Sequence, residues 1–236
     1  MFHKMKTTSL AVAAALSFAA AGASASPIDL TYMGTTASNP KNVKVTTTST
    51  TPDVTVTGGA YGFRMREDAS DPLTEFLAWC LDIESTLGTG SAYEYEITTS
   101  PFSNSHGLDA GQLGRVADVF DANYGTLDDT DGIQAAGFQV ALWNALYDTD
   151  TDAGNGAFKV LSAAAGIVTQ ANAYLTAAAG YTGGKQFNLT FYESTETNPK
   201  RQNLVSATPV PLPAAGFLLL GGLGGLVALR RRKRAA

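Results

Sequence analysis

Cys80 is the one cysteine in a chain of 236 residues, and it sits in the run FLAWCLDIES, residues 76–85. A second polar oddity lies further on, in the helix expected over 133–148. At about 100° per residue, Gln134, Gly137, Asn144 and Asp148 gather on one side of that helix, while Ala135, Leu142, Trp143 and Leu146 gather opposite. Gln139 falls in the middle of the apolar side. A glutamine amide aimed at a core costs about 1–3 kcal/mol unless something satisfies it. The two side chains are chemically complementary. A cysteine sulfur can displace ammonia from a held carboxamide, leaving an internal thioester. Such a bond lasts only where water is excluded, and it then waits for an amine or another nucleophile. The alternative is a buried inert cysteine, behaving as a small hydrophobe, beside a glutamine that hydrogen-bonds backbone.

The elements that must position this pair are an early strand and a later helix. Residues 28–65 read as short β-branched or aromatic runs between Gly, Pro and Asn breakers: IDLTYMG, NVKVTTTST, DVTVTGG and YGFRM. EFLAWCLDI (75–83) and AYEYEIT (92–98) are stronger strands, with Gly88 and Gly90 in the turn between them. On the first of these, Leu77, Trp79, Leu81 and Ile83 form an apolar face, and Cys80 shares the other with Phe76, Ala78 and Asp82. After Pro101 the periodicity changes, and 108–125, 131–148 and 156–180 have helical length. KQFNLTFYES and RQNLVSA return to strand. The expectation is an α+β domain with a β-rich N-terminal part, a central helical block and C-terminal strands.

WCLD (79–82) and FQVALW (138–143) resemble the paired motifs of bacterial thioester domains, over roughly residues 76–147. In that family one half is an aromatic or aliphatic residue, Cys, a hydrophobe and a polar residue, and the other is a TQxAIW-like helix. Cys80 and Gln139 match the bond-forming positions in the correct order, and Ala141 and Trp143 match packing positions. Trp79 stands where Tyr, Phe or Leu is more usual, and Phe138 replaces Thr. The resemblance implies a surface adhesion module, not an enzyme, with Trp79 and Trp143 as an apolar shield over the bond. An amine of another surface or polymer would become joined through an amide.

The chain ends speak of export. Lys4 and Lys6, an apolar run from Thr7 to Ala21 and small residues at Ala23 and Ala25 follow the order of a secretory leader, residues 1–25. At the other end, Val210 to Leu229 carries no charge and has about the length of a membrane span. Arg230, Arg231, Arg232, Lys233 and Arg234 follow at once, marking the cytoplasmic side. Val210, Pro211, Leu212, Pro213 and Ala214, the uncharged stretch and the basic cluster together resemble the VPLPA variant of PEP-CTERM sorting signals. That resemblance implies a domain over 26–207, a sorting segment over 208–236 with a transmembrane helix at about 213–229, and processing by signal peptidase and an exosortase-type protease. The product would be anchored transiently in the inner membrane with its domain outside, then released to the cell surface or an extracellular matrix. An ordinary C-terminal anchor is the alternative to sorting. A non-covalent component of an exopolysaccharide or biofilm matrix is the alternative function.

Charge narrows the partners. Two of the 16 Lys and Arg lie in the leader and five in the tail, so nine face 21 Asp and Glu, about −12 for the mature domain. Nucleic acid and anionic membrane surfaces would be repelled by that sign, which leaves extracellular polysaccharide and surface amines as partners. Asp148, Asp150 and Asp152 have the spacing that opens a Ca²⁺ loop, but the glycine is one place late and Lys159 stands where the closing Glu belongs. A solvated helix-flanking turn is the competing reading, shared with Asp128, Asp129 and Asp131. No cofactor is otherwise expected. His106 would have to serve any Ser-His-Asp hydrolase, and no nucleophile elbow accompanies it.

Overall fold

The computed structural model of the chain describes residues 27–68, 70, 72–98, 102, 104 and 108–211. The leader, His106, Leu212, Pro213, Ala214, the expected span at about 213–229 and the cluster Arg230, Arg231, Arg232, Lys233 and Arg234 lie outside them. Among the described residues no helix is long and apolar enough to cross a membrane.

The described residues form a β-rich domain with three α-helices. Six strands close a barrel: β1 (Ile28–Thr35), β4 (Phe63–Glu67), β5 (Thr74–Cys80), β9 (Leu204–Pro209), β8 (Phe187–Ser194) and β6 (Ala92–Thr98), in that spatial order. Every barrel pairing is antiparallel, and closure removes the free sheet edges that would otherwise invite association. β2 (Lys41–Thr47) leaves the barrel to form a small sheet with β3 (Val54–Ala60) and β7 (Phe158–Ser162). Along β2 the residues alternate, with Val43, Val45 and Thr47 buried, as in a sheet with one covered face. That face is covered by α2 (Gly132–Tyr147), which packs on α1 (Ala110–Asn123) and α3 (Ile167–Ala179) as well as on β2, β3 and β7.

Local chemistry sets the helix starts. Asp109 caps α1 in a reciprocal box: its carboxylate accepts the Gln112 N–H at 2.7 Å, and the Gln112 side chain accepts the Asp109 N–H at 2.8 Å. Asp131 caps α2 by accepting the N–H groups of Ile133 and Gln134.

Three expectations are corrected. First, the helix expected over 156–180 is split. Phe158–Ser162 pairs with β2, through Thr47 opposite Phe158 and Val45 opposite Val160, and only then does α3 begin. Gly156 and Gly166, at φ +98° and +93°, turn the chain on either side of this strand. Second, β5 ends at Cys80 instead of continuing to Ile83. Third, α2 has no wet face at its centre, since every residue from Ala135 to Tyr147 is buried, Gly137 and Asn144 included. A Cβ on Gly137 would lie 2.8 Å from the Cβ of Gln170, so the missing side chain is what lets α3 approach. β9 runs through Pro209, and Val210 N–H donates to Gln186 O at 2.8 Å.

Candidate functional site

Cys80 and Gln139 meet, although 59 positions separate them in the chain. The Cys80 N–H donates to Gln139 Oε1 at 3.0 Å, and Gln139 Nε2 donates to the Cys80 carbonyl at 2.7 Å. One carboxamide therefore satisfies both main-chain groups of one residue. The ladder explains why those groups were available. Leu81 N–H donates to Asn203 O, on the β9 side, at 3.0 Å. Successive N–H groups of a strand alternate between its two edges, so that of Cys80 faces the β4 side. There β4 begins at Phe63, opposite Ala78, and supplies no partner for Cys80. The amide of Gln139 fills the next rung.

The residues after Cys80 are held in the same way. Asp82 O accepts from Gln202 Nε2 at 2.7 Å, and Ile83 N–H donates to Tyr147 Oη at 3.3 Å. Gln139 and Tyr147 lie two turns apart on α2, about 12 Å of helix. Cys80 and Ile83 are three residues apart, about 10 Å of extended chain. α2 thus runs beside the end of β5 and takes over the hydrogen bonding that a strand would have done.

The site is dry and electrostatically unusual. Cys80 and Gln139 are 1% and 0% exposed. Burial, and secondarily the negative charge of Asp82, push the Cys80 thiol well above its ordinary range. At neutral pH it is a thiol, not a thiolate. Asp82 is also fully buried; its Oδ1 accepts the Ser85 N–H at 3.2 Å and its Oδ2 the Asn203 N–H at 3.0 Å, with Lys200 Nζ 3.8 Å away. Burial raises its carboxyl to about 6, against the lowering effect of Asn203, Lys200 and Ser85. Desolvation also raises Tyr61, with Tyr32 and the neighbouring Cys80 sulfur adding to it.

The two tryptophans occupy different places. Trp79 is fully buried, edge-on to Phe138 with ring centroids 4.8 Å apart, inside a cluster that continues to Phe120, Tyr124 and Tyr174. Trp143, one turn beyond Gln139, instead lines a cleft of about 500 Å³ together with Tyr32, Tyr61, Phe63, Ile83 and Gln202. Its indole N–H is buried and has no protein acceptor. The cleft thus comes within one helical turn of Gln139, at Trp143.

The remaining sequence candidates separate. Val210 and Pro211 follow β9 at the barrel rim. Asp148 and Asp150 stay together after α2, but Asp152 turns to α3, where its Oδ1 accepts from Asn172 Nδ2 at 3.0 Å. Among the described residues no three acidic, histidine or cysteine side chains gather at one point. Sequence reasoning missed Asn203, whose main chain and side chain tie Leu81, Asp82, Ser194 and Asn104 together. The only signal for it was a polar pair, Gln202 and Asn203, directly ahead of an apolar strand.

Solved structures that align with this chain include three bacterial surface-protein domains. The N-terminal domain of the Streptococcus pyogenes pilus tip adhesin Cpa aligns at 16% identity, over 64% of this chain and 84% of that one, with a TM-score of 0.41. The N-terminal thioester domain of a surface protein from Clostridium perfringens gives 14%, 63%, 89% and 0.40. A cysteine-to-alanine mutant of such a domain from Clostridium perfringens gives 16%, 62%, 89% and 0.39. No family model matches the chain, and no curated protein matches it.

Proposed function

We propose that this chain is an exported bacterial surface protein whose domain forms an internal thioester between Cys80 and Gln139 and uses it for covalent adhesion. The observation that carries the reading is the seating of the Gln139 carboxamide on the main chain of Cys80, through bonds of 3.0 and 2.7 Å between two buried residues. The acyl carbon lies between two atoms fixed on the residue whose sulfur would attack it. The Cys80 N–H already donates to Gln139 Oε1, so it would stabilise negative charge developing on that oxygen.

The chemistry balances without a cofactor. Sulfur bonds to the carboxamide carbon, the carbon–nitrogen bond breaks, and the thiol proton leaves with the nitrogen as ammonia. A primary amine later attacks the same carbon. A new amide forms, the carbon–sulfur bond breaks, and the proton released by the amine returns Cys80 to a thiol. The nucleophile would enter by the cleft between Tyr61 and Trp143, whose lining includes Glu84 but no Lys or Arg. A leader and an exosortase-type protease acting at Val210, Pro211, Leu212, Pro213 and Ala214 would deliver the domain to the surface or matrix.

A second reading is favoured by the same hydrogen bonds. With both ends of its amide paired, Gln139 is a complete structural clamp, and the protein would then act non-covalently in an exopolysaccharide or biofilm matrix. Intact mass separates the two. The thioester form is lighter than the sequence by one ammonia, and methylamine adds its full mass to Gln139. Full sequence mass, unchanged by methylamine, overturns the covalent reading. Thiol labelling of the native protein does not discriminate, because burial silences Cys80 in either form; it must be done after denaturation.

A further inference from the structure

We propose that the loop after α2 binds a divalent cation, calcium by its donor set, through the carboxylates of Asp148 and Asp150 and the carboxamide oxygen of Asn144. The proposal does not depend on the thioester.

Two carboxylates meet where a helix is itself negative. Asp148 is the C-cap of α2, and the last turn of that helix contains no basic residue. The C-terminal end of a helix carries a partial negative charge and favours a cation. Here it meets Asp148 and Asp150 instead. Their Oδ2 atoms converge: each lies within 2.5 Å of the point that a Cβ on Gly156 would occupy. Gly156 has φ +98° and no side chain, so both carboxylates can close in beside its Cα. The outer oxygens are used by the loop, since Asp148 Oδ1 accepts from Thr149 N–H and Asp150 Oδ1 from Asp152 N–H. Asp148 Oδ2 also accepts the Phe158 N–H at 2.9 Å. Among the described residues no Lys, Arg or His forms an ion pair with either aspartate.

The independent sign of a ligand is Asn144. It is fully buried, its Nδ2 donates to Asp150 Oδ1 at 3.3 Å, and its Oδ1 has no hydrogen-bond partner. Exchanging the two amide atoms does not help, because it would set oxygen against the Asp150 carboxylate and leave an amino group unpaired. A cation beside Asp150 resolves the Asn144 oxygen, the paired carboxylates and the helix end together. Oxygen donors of this kind, completed by main-chain carbonyls and water to six or more, suit Ca²⁺ better than Mg²⁺, which demands a tighter octahedron. Asp152, held on Asn172, braces the loop and is not a ligand.

The test uses the purified protein. Excitation of Trp143 and Tyr147, at the end of the same helix, should sensitise Tb³⁺ emission, and Ca²⁺ should compete that emission away. Thermal unfolding in EDTA should rise by roughly 5 °C or more with calcium at a hundredfold above its Kd. Both effects should vanish in Asp150→Asn and in Asp148→Asn and persist in Asp128→Asn, a control in a separate acidic turn. Equal melting in calcium and EDTA with no displaceable Tb³⁺ emission overturns the proposal. So does a calcium shift that survives in Asp150→Asn.

Discussion

One carboxamide, that of Gln139, closes the hydrogen bonding of a strand residue that has no strand beside it on one edge. Removing it and removing the sulfur are therefore unequal changes. Gln139→Ala strips the partners from a buried N–H and a buried C=O, each worth about 1–3 kcal/mol when left unsatisfied, and also opens a cavity. Cys80→Ala keeps the main chain, so the amide stays seated, and only a sulfur's packing is lost. Gln139→Ala should be the less stable of the two by about 2 kcal/mol or more in urea unfolding. This ranking holds whether or not the thioester forms in the parent protein, because neither variant can form it. Equal stabilities would mean that the amide is not the clamp the geometry describes. Gln139→Glu adds a pH test of the same seat. An ionised carboxylate would face the Cys80 carbonyl in a dry site, so its pKa must rise. Stability should then be greatest at acid pH and fall as pH increases.

At the scale of elements, α2 is the axle of the domain, and Gly137 sets its distance from α3. Helix propensity alone says that Gly137→Ala stabilises by about 1 kcal/mol. The new methyl, however, would lie 2.7 and 2.8 Å from Gln170 side-chain atoms and 3.2 Å from the Ala171 main-chain nitrogen. Main chain does not yield as a side-chain tip does, and overpacking costs about 1–3 kcal/mol. The clash should win, with a net loss of about 1–2 kcal/mol by urea unfolding; a more stable variant would show that α3 can shift freely. This position also shows what the sequence made legible. The helices α1 and α2 and the oddity of Gln139 were readable, because helical period and a misplaced amide are local features. Burial of Gly137 and Asn144 was not, because it comes from α3 and the small sheet closing over a face that looked polar. Phe158–Ser162 was read as helix for the same reason. Its pairing with β2 joins residues more than a hundred positions apart, and the surrounding alanines masked a five-residue strand. The join of Cys80 to Gln139 could be argued from chemistry, but the route through main-chain groups needed the end of β4.

At the scale of the whole molecule, Asp82 couples barrel closure to pH. Its carboxylate holds Ser85 and Asn203, its neighbour Leu81 bonds Asn203 across to β9, and Lys200 Nζ lies 3.8 Å from it. Burial outweighs these partners and raises its pKa from 3.8 to about 6. The direction of the effect follows from proton uptake. Between those values the folded protein binds a proton that the unfolded chain does not, so folding is helped by acid. That contribution is full below about pH 4 and is lost as pH rises through about 6, amounting to about 2–3 kcal/mol for a shift of this size. The surface carboxylates Asp68, Asp128 and Asp152 are shifted downward and act in the opposite sense, so the raw stability curve mixes both. The difference between the parent and Asp82→Asn isolates the buried group. Urea unfolding at intervals from pH 4 to 7 should show the parent losing about 2–3 kcal/mol relative to the variant across that window. A difference that stays flat would mean that Lys200 and the two N–H donors fully offset burial, and that Asp82 is ionised in the fold at every pH where the fold exists.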